Sequence, residues 1–180
     1  MKKTIFALST PESVSAIAII RISGPDTLNA LGLLCRCNLS SFKKKRTLTL
    51  KKIYSSDNAL LDEALVVSFE ENRSFTNEQM AELHIHGSVI VIKTVMETLG
   101  KMPFLRQAFP GEFTQRALEN NKLNFTQVEG LSDLLQAETE YQQKQALDTY
   151  TGKTNKKIIK WKNEVLKTLS LIEANIDFYE

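Results

Sequence analysis

Cysteine is scarce in this chain. Its 180 residues carry two, Cys35 and Cys37. A C-x-C without a second pair supports neither a zinc site nor a disulfide framework, and a reduced cytosolic setting fits such usage. An excess of one charge is lacking too. The 23 Lys and Arg stand against 21 Asp and Glu, a net of +2, too little to argue for nucleic acid alone. There is no long hydrophobic run: the most apolar window, Val89 to Met96, is broken by Lys93 and is far shorter than a bilayer span. Met1-Lys2-Lys3 is basic, but the apolar stretch after it ends at Ser9-Thr10-Pro11-Glu12, so no signal peptide is read. Trp161 and scattered phenylalanines form no stacking platform for single strands. These features describe a soluble, intracellular chain whose 42% hydrophobic content can fill a core in one or two domains.

What is present is organised around one junction. Phe109-Pro110-Gly111-Glu112-Phe113-Thr114-Gln115-Arg116-Ala117, running on to Glu129, reads as a breaker, a short helix, a polar turn with Lys122, and a long helix. Thr126-x-x-Glu129 has the form of a capping box. Ahead of the junction, strands and helices mix. Thr4 to Leu8 and Ala16 to Ile22 are branched apolar runs expected as strands buried on both faces. Asp26 is placed to cap a helix through Leu28, Leu31 and Leu34. Thr47 to Tyr54 alternates like a half-exposed strand, and Ala64 to Phe69 reads as another buried one. Met80 to His86 is a strand or a helix-to-strand junction. A helix with Ile90, Val91, Val95 and Leu99 follows and stops at Gly100.

This succession gives an α+β domain to about residue 118. Beyond it the period is helical. Val128, Leu131, Leu135, Ala146 and Tyr150 mark one stripe that Gly152 ends, and a second helix presents Ile158, Val165, Leu169, Ile172 and Ile176. The preceding helix can cover that second stripe only in part. The chain stops at Asp177-Phe178-Tyr179-Glu180 with no terminating signal, as the cut end of a longer protein would.

Several groups could carry chemistry. His84-Ile85-His86 puts two imidazoles on one strand face, but zinc needs a third and fourth ligand. None is marked, these are the only two histidines, and a structural role is the weightier reading. Gly152-Lys153-Thr154 has the ending of a phosphate loop, yet the glycine required five residues earlier is Leu147. Lys43-Lys44-Lys45-Arg46 and the lysines from Lys153 to Lys167 could touch phosphate. Glu164, Glu173 and Asp177 in the same final segment favour a solvated face, and an auxiliary RNA contact stays open. Arg21, Glu82 and Lys122 stand in less ordinary places. Charges in apolar strands are rarely buried unpaired, so one reading is a structural Arg21–Glu82 ion pair. The other is a ligand site. There a carboxylate accepts two parallel hydrogen bonds from a ring NH and its amino group, while Arg and Lys hold anionic groups.

Ile20-Arg21-Ile22-Ser23-Gly24-Pro25, Ser74-Phe75-Thr76, Glu82-Leu83-His84-Ile85-His86-Gly87, Pro110 to Ala117 and Asn121-Lys122-Leu123 resemble the amino-terminal part of the tRNA modification GTPases of the MnmE (TrmE) family. Asp133-Leu134-Leu135, Ala137-Glu138-Thr139 and Glu173-Ala174-x-Ile176-Asp177-Phe178 continue the match, which covers nearly the whole chain. The resemblance implies a folate-binding and dimerisation domain over residues 1–118, similar to that of aminomethyltransferases, and the first helices of a central helical domain over 119–180. In the family a GTPase domain, using GTP, magnesium and potassium, is inserted later, and a cysteine motif lies at the far C-terminus. Neither is among these residues, so no GTPase activity is expected of them.

Family members form homodimers and bind a 5-formyl-tetrahydrofolate-type cofactor near the dimer interface. With a flavoprotein partner they install an aminomethyl-type group on the wobble uridine of certain tRNAs, the one-carbon unit being attributed to folate. By motif position the resemblance assigns Arg21, Glu82 and Lys122 to the folate: Glu82 to the pterin ring, Arg21 and Lys122 to polar or carboxylate parts. His84 and His86 would orient Glu82. No catalytic residue and no metal ligand is assigned. Two departures stand out. The family's glycine-rich loop, resembling T-P-P-G-R-G-G, is here Thr10-Pro11-Glu12-Ser13-Val14-Ser15-Ala16, and Asn77 and Ser88 replace usual glycines. Lost glycines remove backbone freedom and close approach, so folate affinity or loop geometry is expected to differ. Two rivals remain. One is a stand-alone folate-dependent aminomethyl transferase, which would need a catalytic acid or base and a C-terminal barrel domain. The other is a structural dimer module without ligand.

Overall fold

The computed structural model describes residues 3–38, 42 and 46–177. Lys43, Lys44 and Lys45 of the basic run, and Phe178, Tyr179 and Glu180 of the final segment, lie outside the described residues. The chain divides into two compact units, residues 1–122 and 123–180, so the division falls shortly after residue 118.

The first unit contains β1 (Thr4–Leu8), β2 (Ser15–Ser23), α1 (Thr27–Cys35), β3 (Thr49–Tyr54), β4 (Leu60–Phe69), β5 (Met80–Gly87), α2 (Val89–Gly100), β6 (Leu105–Gln107) and α3 (Glu112–Glu119). The strands form one six-stranded sheet in the order β3-β4-β5-β2-β1-β6. Its neighbours are antiparallel except β1 and β6. Side chains alternate across a strand, and here one face is dry. Ala18, Ile20 and Ile22 of β2 and Leu83 and Ile85 of β5 are buried with Leu31 and Leu34 of α1 and Ile92, Val95 and Leu99 of α2. Each large side chain so buried contributes about 1.5–3 kcal/mol. The expectation that β2 is buried on both faces is therefore corrected. Ile17, on the other side, is 55% exposed, because α1 and α2 pack on a single face, as antiparallel sheets allow.

Other local expectations also shift. Met80 to Gly87 is strand throughout. The dry stripe of α2 is Ile92, Val95 and Leu99, whereas Ile90 is exposed. Gly100 is simply the last residue of α2, and Lys101 beyond it keeps right-handed backbone. Asp26 precedes α1 but its side chain caps nothing; its carboxylate instead accepts from Asn29 Nδ2 at 3.1 Å.

The second unit is α4 (Phe125–Gln136), α5 (Glu140–Tyr150) and α6 (Lys153–Asp177). Two sites differ from expectation. The capping box of α4 is Asn124 with Gln127, not Thr126 with Glu129: Gln127 N–H donates to Asn124 Oδ1 at 2.9 Å and Asn124 N–H to Gln127 Oε1 at 3.2 Å. The single helix expected up to Gly152 is two, because Thr139 starts α5 with a second capping box through Gln142. The two helices then pack against each other at Gly130, where an added Cβ would stand 2.5 Å from Tyr150 N. None of the described residues of α6 is buried, and Val165, Ile172 and Ile176 are exposed. Among the described residues no helix is long and apolar enough to cross a membrane.

Gly130→Ala sets two effects against each other. Helix propensity favours alanine by about 1 kcal/mol, while overpacking costs about 1–3 kcal/mol. The obstructing atoms are the backbone of Thr149 and Tyr150 and the Thr149 Cβ, which cannot swing aside, so the clash prevails. The expected outcome is a lower urea midpoint, followed by helical circular dichroism. A higher midpoint would mean that α4 and α5 separate freely.

Candidate functional site

The antiparallel register sets Arg21 of β2 directly opposite Glu82 of β5, and Ile19 opposite His84. On the other side β4 sets Val67 opposite Glu82 and Leu65 opposite His84. Directly opposed residues share a face, so all six lie on the face that α1 and α2 leave uncovered. Arg21 Nε donates to Glu82 Oε1 at 2.8 Å, with the two side chains 34% and 14% exposed. His84 Nε2 lies 3.3 Å from the other carboxylate oxygen. The Phe75 ring stands 5.7 Å from the Arg21 guanidinium carbon, within cation–π range. Among the described residues, the terminal nitrogens of Arg21 make no hydrogen bond or ion pair.

His86 does not orient Glu82, and that expectation is corrected. Its Nδ1 lies 2.7 Å from Asp62 Oδ1, and its N–H donates to Asp62 Oδ2 at 2.8 Å. Among the described residues no group of three or more His, Cys, Asp or Glu could hold a metal. Cys35 is buried and its thiol is pushed up to about 12, first by burial and then by Cys37.

Lys122 is exposed, and among the described residues no hydrogen bond or ion pair joins its ammonium to Arg21 or Glu82. Its backbone is held firmly. Asn121 takes φ 55°, its N–H donates to Leu118 O at 3.0 Å, and Lys122 N–H donates to Ala117 O at 2.8 Å. That is a Schellman motif ending α3.

Residues 74–79 link this helix end to Arg21. Phe75 faces Arg21, while the next carbonyl, Thr76 O, accepts from Asn120 Nδ2 at 2.7 Å. Asn77 Nδ2 donates to Asn120 O at 3.2 Å. Glu78 Oε2 accepts from Ser23 Oγ at 2.8 Å and from Arg116 Nη1 at 3.0 Å. Arg116, 3% exposed, also donates to Lys3 O at 2.8 Å and Glu112 Oε1 at 3.1 Å. Arg106 Nη1 donates to Glu112 Oε2 at 2.7 Å. The Arg106 hydrogen bond leads in holding the Glu112 carboxyl down at about 2, helped by the Phe109 N–H and by Arg116. A groove of about 440 Å³ opens beside Asn77, Glu78 and Asn120. Another of about 420 Å³, between Leu33, Tyr54 and Phe104 on the helix side, shares none of these groups.

Sequence reasoning assigned no role to Glu78, Glu112, Arg116 or Asn120. The available signal was Glu112 and Arg116 at i and i+4, which on an isolated helix reads as a surface pair; only the fold buries them. The departures from glycine find local answers. Asn77 adopts φ 62°, and the positive-φ residues include none of residues 10–16. Ser88 has φ −84°.

The fold defines a class first: an α+β unit with a charged pair on its open sheet face, followed by a helical unit. A family model described as GTP-binding protein TrmE N-terminus matches residues 4–122, and one described as MnmE helical domain matches residues 125–180. The chain belongs to the MnmE (TrmE) family. It is 43% identical over 175 residues to a tRNA modification GTPase MnmE of Dinoroseobacter shibae, covering 97% of this chain and 40% of that protein. It is 44% identical over 177 residues to one of Ehrlichia chaffeensis, covering 98% of this chain and 39% of that protein. The chain thus spans about 40% of the length of these curated relatives.

Glu112 makes a pH prediction. Its folded pKa of about 2 lies below its ordinary 4.5, so the stability it contributes is present above about 4.5 and is lost as pH falls towards 2. The loss is on the order of 2 kcal/mol after allowing for solvent screening. Urea midpoints of the unaltered chain should fall over that window, and those of Glu112→Gln should start lower and fall less. Equal slopes would place the acid sensitivity elsewhere.

Proposed function

We propose that these residues form the folate-binding and dimerising part of a tRNA-modifying GTPase, with Arg21, Glu82 and Lys122 holding a one-carbon tetrahydrofolate of the 5-formyl type. The observation that carries this is the part-exposed Arg21–Glu82 pair on the open sheet face, with the terminal nitrogens of Arg21 uncommitted among the described residues. A carboxylate offers about four acceptor positions. Arg21 and His84 occupy two of those on Glu82, which leaves room for a pterin ring NH and amino group. Arg21 and Lys122 suit the polar or carboxylate parts of the cofactor. The bound folate supplies a one-carbon unit, and the chain's residues bind and orient it.

The dimer reading is supported by apolar side chains on the same sheet face: Ile17, Leu50 and Leu65 are 55%, 62% and 39% exposed. Such a surface fits association with a second copy. In the whole protein, GTP hydrolysis with magnesium and potassium belongs to a domain outside these residues. A flavoprotein partner and tRNA complete the assembly that modifies the wobble uridine in the cytoplasm.

A second reading has its own observation. Arg21 and Glu82 are direct cross-strand partners at 2.8 Å, as a purely structural ion pair in a ligand-free dimer module would be. Calorimetric titration with 5-formyl-tetrahydrofolate separates the two. Binding should weaken about tenfold or more in Glu82→Ala and in Lys122→Ala, the scale of one lost charge-assisted hydrogen bond. No binding by the folded chain at millimolar cofactor would favour the structural reading. Turnover of an aminomethyl donor by these residues alone would favour a stand-alone transferase.

A further inference from the structure

We propose that Asn120 is the positioning residue for Lys122: by clamping the end of α3 to residues 76–78, it sets where the lysine stands relative to Arg21 and Glu82. The inference rests on the folate reading above. Lys122 projects from a Schellman motif, so its Cα is fixed relative to α3 by the bonds to Ala117 and Leu118. That motif is local and cannot relate α3 to the sheet. The Asn120 side chain can. Nδ2 reaches Thr76 O at 2.7 Å and Glu78 Oε1 at 3.4 Å, while the main-chain carbonyl of Asn120 separately receives Asn77 Nδ2 at 3.2 Å.

The segment it grips is itself anchored to β2. Ser23 Oγ lies 2.7 Å from Thr76 Oγ1 and donates to Glu78 Oε2 at 2.8 Å, and both Ser23 and Thr76 are fully buried. Ser23 lies two positions along β2 from Arg21, and Phe75, next to Thr76, stands over the Arg21 guanidinium. The connection thus runs from the Arg21 guanidinium to the Phe75 ring, along the main chain to the Thr76 carbonyl, across to the Asn120 side chain, and through the backbone at the end of α3 to Lys122. Asn120 is half-buried and spends its amide on this connection.

The test is a double-mutant cycle on 5-formyl-tetrahydrofolate affinity, using unaltered chain, Asn120→Ala, Lys122→Ala and the pair, each checked for folding by circular dichroism. Asn120→Ala should weaken binding about tenfold alone, the scale of one lost interaction. It should weaken binding less than about twofold when Lys122→Ala is already present, since residues that act through each other are not additive. Asn120→Asp, isosteric but without the Nδ2 donors, should behave the same and serves if the alanine variant does not fold. Losses that multiply would overturn the proposal, because Asn120 would then act on the cofactor directly or through stability at large. Binding unaffected by either Asn120 variant would overturn it as well. Failure of the unaltered chain to bind would instead remove the folate reading, and this inference with it.

Discussion

A guanidinium cannot shed its charge, so burying Arg116 to 3% exposure obliges the chain to bring partners to it. They come from three separate stretches: Glu112 one turn back on α3, Glu78 from the segment between β4 and β5, and the Lys3 carbonyl at the start of β1. Removing one member of such a buried set costs about 3–5 kcal/mol, because the remaining charge stays desolvated. Against an apolar core of the same shape the network adds little net stability. What it does add is specification: α3, the first strand and residues 74–79 have one arrangement in which all three guanidinium nitrogens of Arg116 find acceptors.

That arrangement matters because the sheet alone places only part of the proposed site. Ala18, Ile20 and Ile22 bury themselves against α1 and α2, which by alternation turns Arg21 to the open face. Leu83 and Ile85 do the same for Glu82 and His84. A register slip of one residue would exchange the two faces and push Arg21 into an apolar layer. The hydrophobic core therefore determines the position of the pair. Lys122 belongs to neither strand: the Arg116 network orients α3, and the Asn120 side chain joins the end of that helix to residues 76–78.

The apolar runs and the periodic stretches were legible: β1, the alternating β3, the later part of β4 from Ala64, the short helix α3 after Pro110-Gly111, and the helical character beyond Thr126. Failures occurred where several residues compete for one role. Asn124, Thr126 and Thr139 are all competent N-caps. Asn124 and Thr139 take the role, while the Thr126 hydroxyl donates to the Asn124 side chain at 2.9 Å. β6 is three residues long, too short to show a period, and exists because β1 offers it a parallel edge. In the site, Arg21 and Glu82 stood out as charges in apolar runs. Glu112 and Arg116 did not, since their spacing is as common on wet helices as on buried ones.

The glycine departures follow the same physical logic. A glycine is needed where the backbone has positive φ or where another chain segment comes too close for a Cβ. Residues 10–16 have no positive φ, so the arrangement adopted here does not call on glycine's freedom there. Position 77 does, at φ 62°, and asparagine is among the few side chains that tolerate that region. It also does what glycine could not. Its amide reaches Asn120 O at 3.2 Å, adding a second tie between residues 74–79 and the end of α3. Asparagine at this position thus exchanges backbone latitude for a side-chain bond to the end of α3, the helix end that carries Lys122.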